Sequence, residues 1–160
     1  MASSYMIFHP NAGVAPSASP ALWQRIDDTN TDKGAIVYGA ASNTYYDWTG
    51  NIPGDYGSGG DVRLWWRCAS AATTAARWQI GIDSASVGEA SDSAPTNDAV
   101  NEGYGGTSNI VASALITTTE VLAANDFMTL TISRQATNVG DTILGASVVL
   151  LNSQLEYVQA

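Results

Sequence analysis

Residues 61–69 read DVRLWWRCA. Val62, Leu64, Trp66 and Cys68 take alternate positions, with Arg63, Trp65 and Arg67 between them. Successive side chains of a strand point to opposite faces, so this period of two describes a half-buried strand with one apolar and one mixed face. The same alternation recurs on the C-terminal side. Trp78, Ile80 and Ile82 alternate with Arg77, Gln79 and Gly81, and Met128, Leu130 and Ile132 alternate with Thr129, Thr131 and Ser133. Residues 145–151 are more continuously apolar, as expected of a central strand buried on both faces. Weaker strand signals lie at 22–26, 35–38, 45–48, 110–116 and 154–158.

Helical signals are nearly absent. The one candidate, residues 110–124, contains Thr117, Thr118 and Thr119 in succession, and three β-branched residues in a row disfavour a helix. A strand followed by a turn fits better. Residues 83–108 are polar and rich in Gly, Ser and Ala; so long a loop is unusual in a compact domain, and a short strand near Ala99–Val100 is expected within it. Eight or nine strands without crossover helices predict an all-β fold, an antiparallel β-sandwich of jelly-roll type. The sandwich domain is expected over residues 21–160. Residues 1–20 read as an extended N-terminal arm, because Pro10, Pro16 and Pro20 interrupt a regular ladder.

The chain has 160 residues, the length of one domain, and can bury roughly 70% of its unfolded surface. Charged residues make up only 13%, about half the usual share. Fifteen acids oppose six bases, for a net charge of −9. That sign repels phosphate backbones and anionic lipid heads, so neither nucleic acid nor membrane is expected as a partner. Cys68 is the single cysteine, so stability is expected to come from packing or oligomerisation instead of a disulfide. Residues 1–8 carry no basic region and no apolar run of signal length, and no stretch reaches the length of a membrane helix. Folding in a cytoplasm is the resulting expectation.

No catalytic constellation emerges. His9 is the only histidine and sits beside Pro10 in the arm, away from a packed pocket where it could serve a nucleophile. Nor can it form a zinc site with one distant cysteine. Cys68 falls on an apolar strand face and reads as a small buried hydrophobe. Asp28, Asn30 and Asp32 imitate a calcium loop, but Lys33 stands where the glycine is required and Gly39 where the bidentate glutamate is required. A polar turn or a looser oxygen cage remain the alternatives there. The acids Asp27, Asp28, Glu89, Asp92, Asp98 and Glu102 cluster in loops, and nothing holds two of them about 5 to 9.5 Å apart in a cleft, as glycoside hydrolysis requires. Gly57-Ser-Gly59-Gly60 precedes a strand and not a helix, so it is no phosphate loop. No enzyme, no cofactor and no metal are therefore expected.

Five tryptophans stand out: Trp23, Trp48, Trp65, Trp66 and Trp78. Trp66 and Trp78 lie on apolar faces and belong to a core. Trp65 stands between Arg63 and Arg67 on the opposite face, a composition typical of contact hot spots. It would meet a sugar ring or a partner subunit, or be covered by the two arginine stems.

Three stretches together, GNIPGDYGSGGDVRLWWRCASA (50–71), ARWQIGID (76–83) and FMTLTISRQATNVGDTILGASVVLLNSQLEYV (127–158), resemble the small jelly-roll proteins of tailed phages. Many of those are capsid cement or decoration proteins. The resemblance covers about residues 34–160 and rests on the Pro-Tyr-Gly-Gly approach to strand 62–68, the Asn138–Leu144 turn and the closing Leu155-Glu156-Tyr157. It implies a structural virion protein on the exterior of a capsid, binding the major capsid protein and other copies of itself, often as a homotrimer. Met6, Ile7 and Phe8 of the arm would then bury apolar area on a neighbour, and Arg63, Trp65 and Arg67 would form a second contact. The alternative is a carbohydrate- or receptor-binding module of a tail or fibre, with Trp65 and the 83–108 loop supplying the glycan contacts.

Overall fold

The computed structural model describes residues 2–27, 32–69, 73–143 and 145–160. Among them are ten strands: β1 (Ser3–Phe8), β2 (Leu22–Asp27), β3 (Asp32–Tyr38), β4 (Thr44–Asn51), β5 (Tyr56–Cys68), β6 (Thr73–Ala85), β7 (Thr96–Gly105), β8 (Ala112–Thr117), β9 (Phe127–Arg134) and β10 (Val148–Gln159). The single helical element is a 3-10 turn at Pro10–Ala12. All strand pairings are antiparallel. A four-stranded sheet runs β4-β9-β6-β7, and a six-stranded sheet runs β2-β3-β10-β5-β8 with β1 also on β10. The jelly-roll sandwich expected from the strand alternation is the observed fold.

The core lies between the sheets. Val62, Leu64, Trp66 and Cys68 face Trp78, Ile80, Ile82, Leu130 and Ile132, all buried. Trp66 and Trp78 meet edge to face at 5.8 Å, and Trp78 meets Tyr38 at 5.2 Å. Such T-shaped pairs add to the area term because the positive edge of one ring meets the negative face of the other. The Tyr38 hydroxyl crosses the core to donate to the Ile132 carbonyl at 3.1 Å. Burial pushes that phenol well above its ordinary range.

Three expectations need correction. Residues 1–20 are no free arm. β1 pairs with the second half of β10, from Ser3 opposite Val158 to Phe8 opposite Ser153. Phe8 is 4% exposed in the core, and Met6 packs against the core beside it. The following segment is tied to β4, with Val14 bridging Asp47 and Pro20 bridging Tyr45. The prolines end β1 but leave these isolated bridges intact. Secondly, residues 145–151 are not a strand buried on both faces. β10 begins at Val148, runs through to Gln159, and alternates between side chains buried between the sheets and half-buried ones on the outer face. Thirdly, the 83–108 region holds a ten-residue strand, β7, where only a short one was expected. Half of the β7 residues are polar and only Tyr104 is buried, so its backbone pairing with β6 along the whole strand chiefly sets its place.

The segment 138–143 after β9 is held by a buried ion pair. Arg134 and Asp141 are both fully enclosed and joined at 2.8 Å. Arg134 donates to both Asp141 oxygens and to the carbonyls of Gly39, Ile143 and Ala146, so every guanidinium N–H has an acceptor. The calcium-like stretch begins outside the described residues, which omit positions 28–31; Asp32, Lys33 and Gly34 open β3.

Candidate functional site

The alternation that buries Met6 and Phe8 turns Tyr5 and Ile7 outward. Cross-strand register then assembles side chains far apart in sequence. Tyr5 lies opposite Glu156, and Glu156 lies opposite Asp61. One row along, Ile7 faces Gln154, which faces Arg63, which faces Leu115. A further row carries Asn152, Trp65 and Ser113. The outer face of the six-stranded sheet is therefore a mixed surface of aromatic, aliphatic and planar polar groups.

At one end of this face lies an open depression of about 350 Å³ lined by Tyr5, Gly59, Gly60, Asp61, Gln154 and Glu156, among others. Two glycines shape it. Gly59 and Gly60 have φ of +91° and +146°, a region that side-chain-bearing residues avoid. A Cβ on Gly60 would also come within 2.7 Å of the Thr118 methyl. Around these glycines the pairing of β5 with β10 slips register, between Glu156 and Val158. The Tyr56 hydroxyl secures the bend by donating to the Gly59 carbonyl at 2.6 Å.

Glu156 is the fixed polar centre of the depression. Arg63 donates to it from Nε at 2.5 Å and from a terminal nitrogen at 3.1 Å, a bidentate clamp. Gln154 donates from its amide at 2.8 Å. The hydrogen bonds from Arg63 hold the Glu156 carboxyl below its ordinary range, and Glu156 in turn raises Arg63. Asp61 lies directly across from Glu156, so two acids share one cation and the depression is acidic. Tyr5 is 60% exposed and offers its ring beside this polar cluster.

The six residues singled out from sequence divide. Ile7, Arg63, Trp65 and Arg67 share the outer face, but Arg67 is itself buried there and Trp65 is half-covered. Phe8 is buried in the core, and Met6 is half-buried against it, on the opposite side of β1 from Tyr5 and Ile7. Tyr5, Asp61, Gln154 and Glu156 were missed. The signal that finds Tyr5 is the alternation in Ser4-Tyr-Met-Ile-Phe8, the same period of two read in β5. Among the described residues, no three or more His, Cys, Asp and Glu are grouped to hold a metal ion. Among them, too, no helix is long and apolar enough to cross a membrane.

No family model matches the chain, and no curated protein sequence matches it. Solved structures do. A family 35 carbohydrate binding module from Clostridium thermocellum superposes with a TM-score of 0.57 at 14% identity, covering 95% of this chain and 97% of that one. The CBM36-1 domain of a multidomain xylanase from the hindgut metagenome of Trinervitermes trinervoides gives 0.57 at 12% identity, over 98% and 100%. The mosquito-larvicidal Cry4Aa toxin from Bacillus thuringiensis gives 0.56 at 11%, covering 99% of this chain but 24% of the toxin. At these identities the likeness establishes a shared jelly-roll fold and nothing finer.

Proposed function

We propose that this chain is a non-catalytic carbohydrate-binding module, and that the outer face of its six-stranded sheet holds a neutral, unbranched oligosaccharide. The observation that carries this reading is the exposed Tyr5 ring beside a carboxylate fixed by three hydrogen bonds. A pyranose ring has an apolar C–H face and a rim of hydroxyls. It needs an aromatic surface for the first and planar, pre-oriented acceptors and donors for the second. Tyr5 supplies the surface, Glu156 and Asp61 accept, and Gln154 and Arg63 donate. Because the donors and acceptors already hold one another, little ordering cost remains at binding.

Charge selects the class of sugar. Asp61 and Glu156 against Arg63 leave the depression acidic within a chain of net charge −9, which disfavours uronic, sialylated or sulfated ligands. Length follows from the register. Tyr5 and Trp65 lie roughly 16 Å apart on one face, taking strand spacings of about 4.8 Å and a rise of about 3.3 Å per residue. That span suits several sugar units laid obliquely over β1, β10 and β5. The fold shared with carbohydrate-binding modules supports the reading, and the attachment to a capsid implied by the phage-like motifs is its rival.

The two separate on a glycan array run beside a shell-binding assay. Retention of neutral oligosaccharides by the wild type, lost in Tyr5→Ala, supports the module. Saturable binding to capsid shells with no glycan retained would favour the cement reading and overturn this one.

A further inference from the structure

Trp23 is a large aromatic side chain left 48% exposed, and it lies away from the depression at Tyr5. In the β2–β3 pairing it sits opposite Ile36, on the core-facing side of the sheet, where Tyr5 is on the outer side. Its indole is seated on Gly34. A Cβ built at Gly34 would stand 3.1 Å from two indole atoms, so a glycine there lets the ring lie directly on the backbone. One flank of the indole opens onto a depression of about 270 Å³ walled by Pro10 and Asn11. Another opens onto one of about 210 Å³ walled by Arg25 and Lys33.

The Pro10 wall is rigid. The Trp48 indole donates to the His9 carbonyl at 2.8 Å, and the Tyr46 hydroxyl donates to the Gly13 carbonyl at 2.9 Å. These two bonds bracket the 3-10 turn and hold it beside Trp23. A ring held on backbone, open at its flanks and bordered by Asn11 and Arg25, has the composition of a sugar-stacking shelf. The two small depressions suit one or two rings on the shelf, far less than the area a stable protein interface buries.

We infer that Trp23 and Gly34 form a second saccharide-binding site, taking a pyranose ring stacked on the indole with its hydroxyls toward Asn11 and Arg25. The site rests on the carbohydrate-binding reading but not on the Tyr5 depression. Two sites on opposite faces would make the module bivalent, so that a polymeric glycan is held more tightly than either site alone holds a short one.

The test is NMR titration of the full chain with xylohexaose and cellohexaose, following the indole N–H signals and assigning Trp23 by its loss in Trp23→Phe. The Trp23 signal is expected to shift along its own saturation curve, distinct from that of signals around Tyr5. Trp23→Ala should abolish that curve and leave the Tyr5 curve within twofold. Gly34→Val keeps the indole but removes its seat, and should weaken the Trp23 curve about tenfold. Shifts around Tyr5 with an unmoved Trp23 signal would overturn the second site and leave the first standing. Trp23 shifts that track protein concentration instead of saccharide would mark a contact between copies and overturn it as well. No saccharide shift anywhere would overturn both readings.

Discussion

Glu156 shows how a single side chain becomes a binding group. Its carboxyl is lowered chiefly by hydrogen bonds from Arg63, with a smaller contribution from Gln154. A carboxyl whose folded value is depressed stabilises the native state above its unfolded value, about 4.3, and that contribution is lost as pH falls through the lower folded value. The Glu156 carbonyl-carbon shift in a pH titration should therefore turn over below the ordinary range. Arg63→Ala should return it toward ordinary; a wild-type midpoint at or above the ordinary value would contradict the clamp. None of this pairing was legible in the sequence. Arg63 and Glu156 lie 93 residues apart in the chain, and only the β5–β10 register makes them neighbours. Tyr5 was hidden for a different reason: prolines later in the segment drew the whole of residues 1–20 into one reading as an arm.

At the scale of elements, strands with strong apolar alternation could be read from sequence. β5, β6 and β9 each bury one regular face, and residues 62–68, 77–82 and 128–133 gave that face directly. β7 could not be read so, since backbone pairing with β6 is what holds it and only Tyr104 is buried. β1 is short, and its two inward residues become informative only once β10 is there to receive them. Its contribution to stability is testable. Phe8→Ala should cost about 3–5 kcal/mol by chemical denaturation, from lost burial and the cavity left behind. A change within 0.5 kcal/mol, the range of an ordinary surface position, would mean that β1 is not docked in solution. The turn after β9 makes a parallel case. Asp141→Ala strands Arg134 in the core without its counter-charge and should cost about 3–5 kcal/mol. A neutral result would show that the backbone carbonyls alone suffice for the guanidinium.

For the whole molecule, the architecture divides the labour between its two sheets. The core faces specify the fold, and a fold of this kind recurs at low identity in solved structures that share little sequence with this chain. On the outer face of the six-stranded sheet the mixed aromatic and polar rows collect. A net charge of −9 opposes the approach of other polyanions and leaves neutral ligands unaffected. If the outer face binds a neutral saccharide through Tyr5, removing that ring costs affinity and not stability. Calorimetric titration of wild type and Tyr5→Ala with the same neutral hexasaccharide, alongside thermal melts of both, tests it most directly. At least a tenfold loss of affinity, about 1.4 kcal/mol, is expected in Tyr5→Ala at an unchanged melting temperature. Equal affinity in the two proteins, or no heat of binding from the wild type, would contradict it.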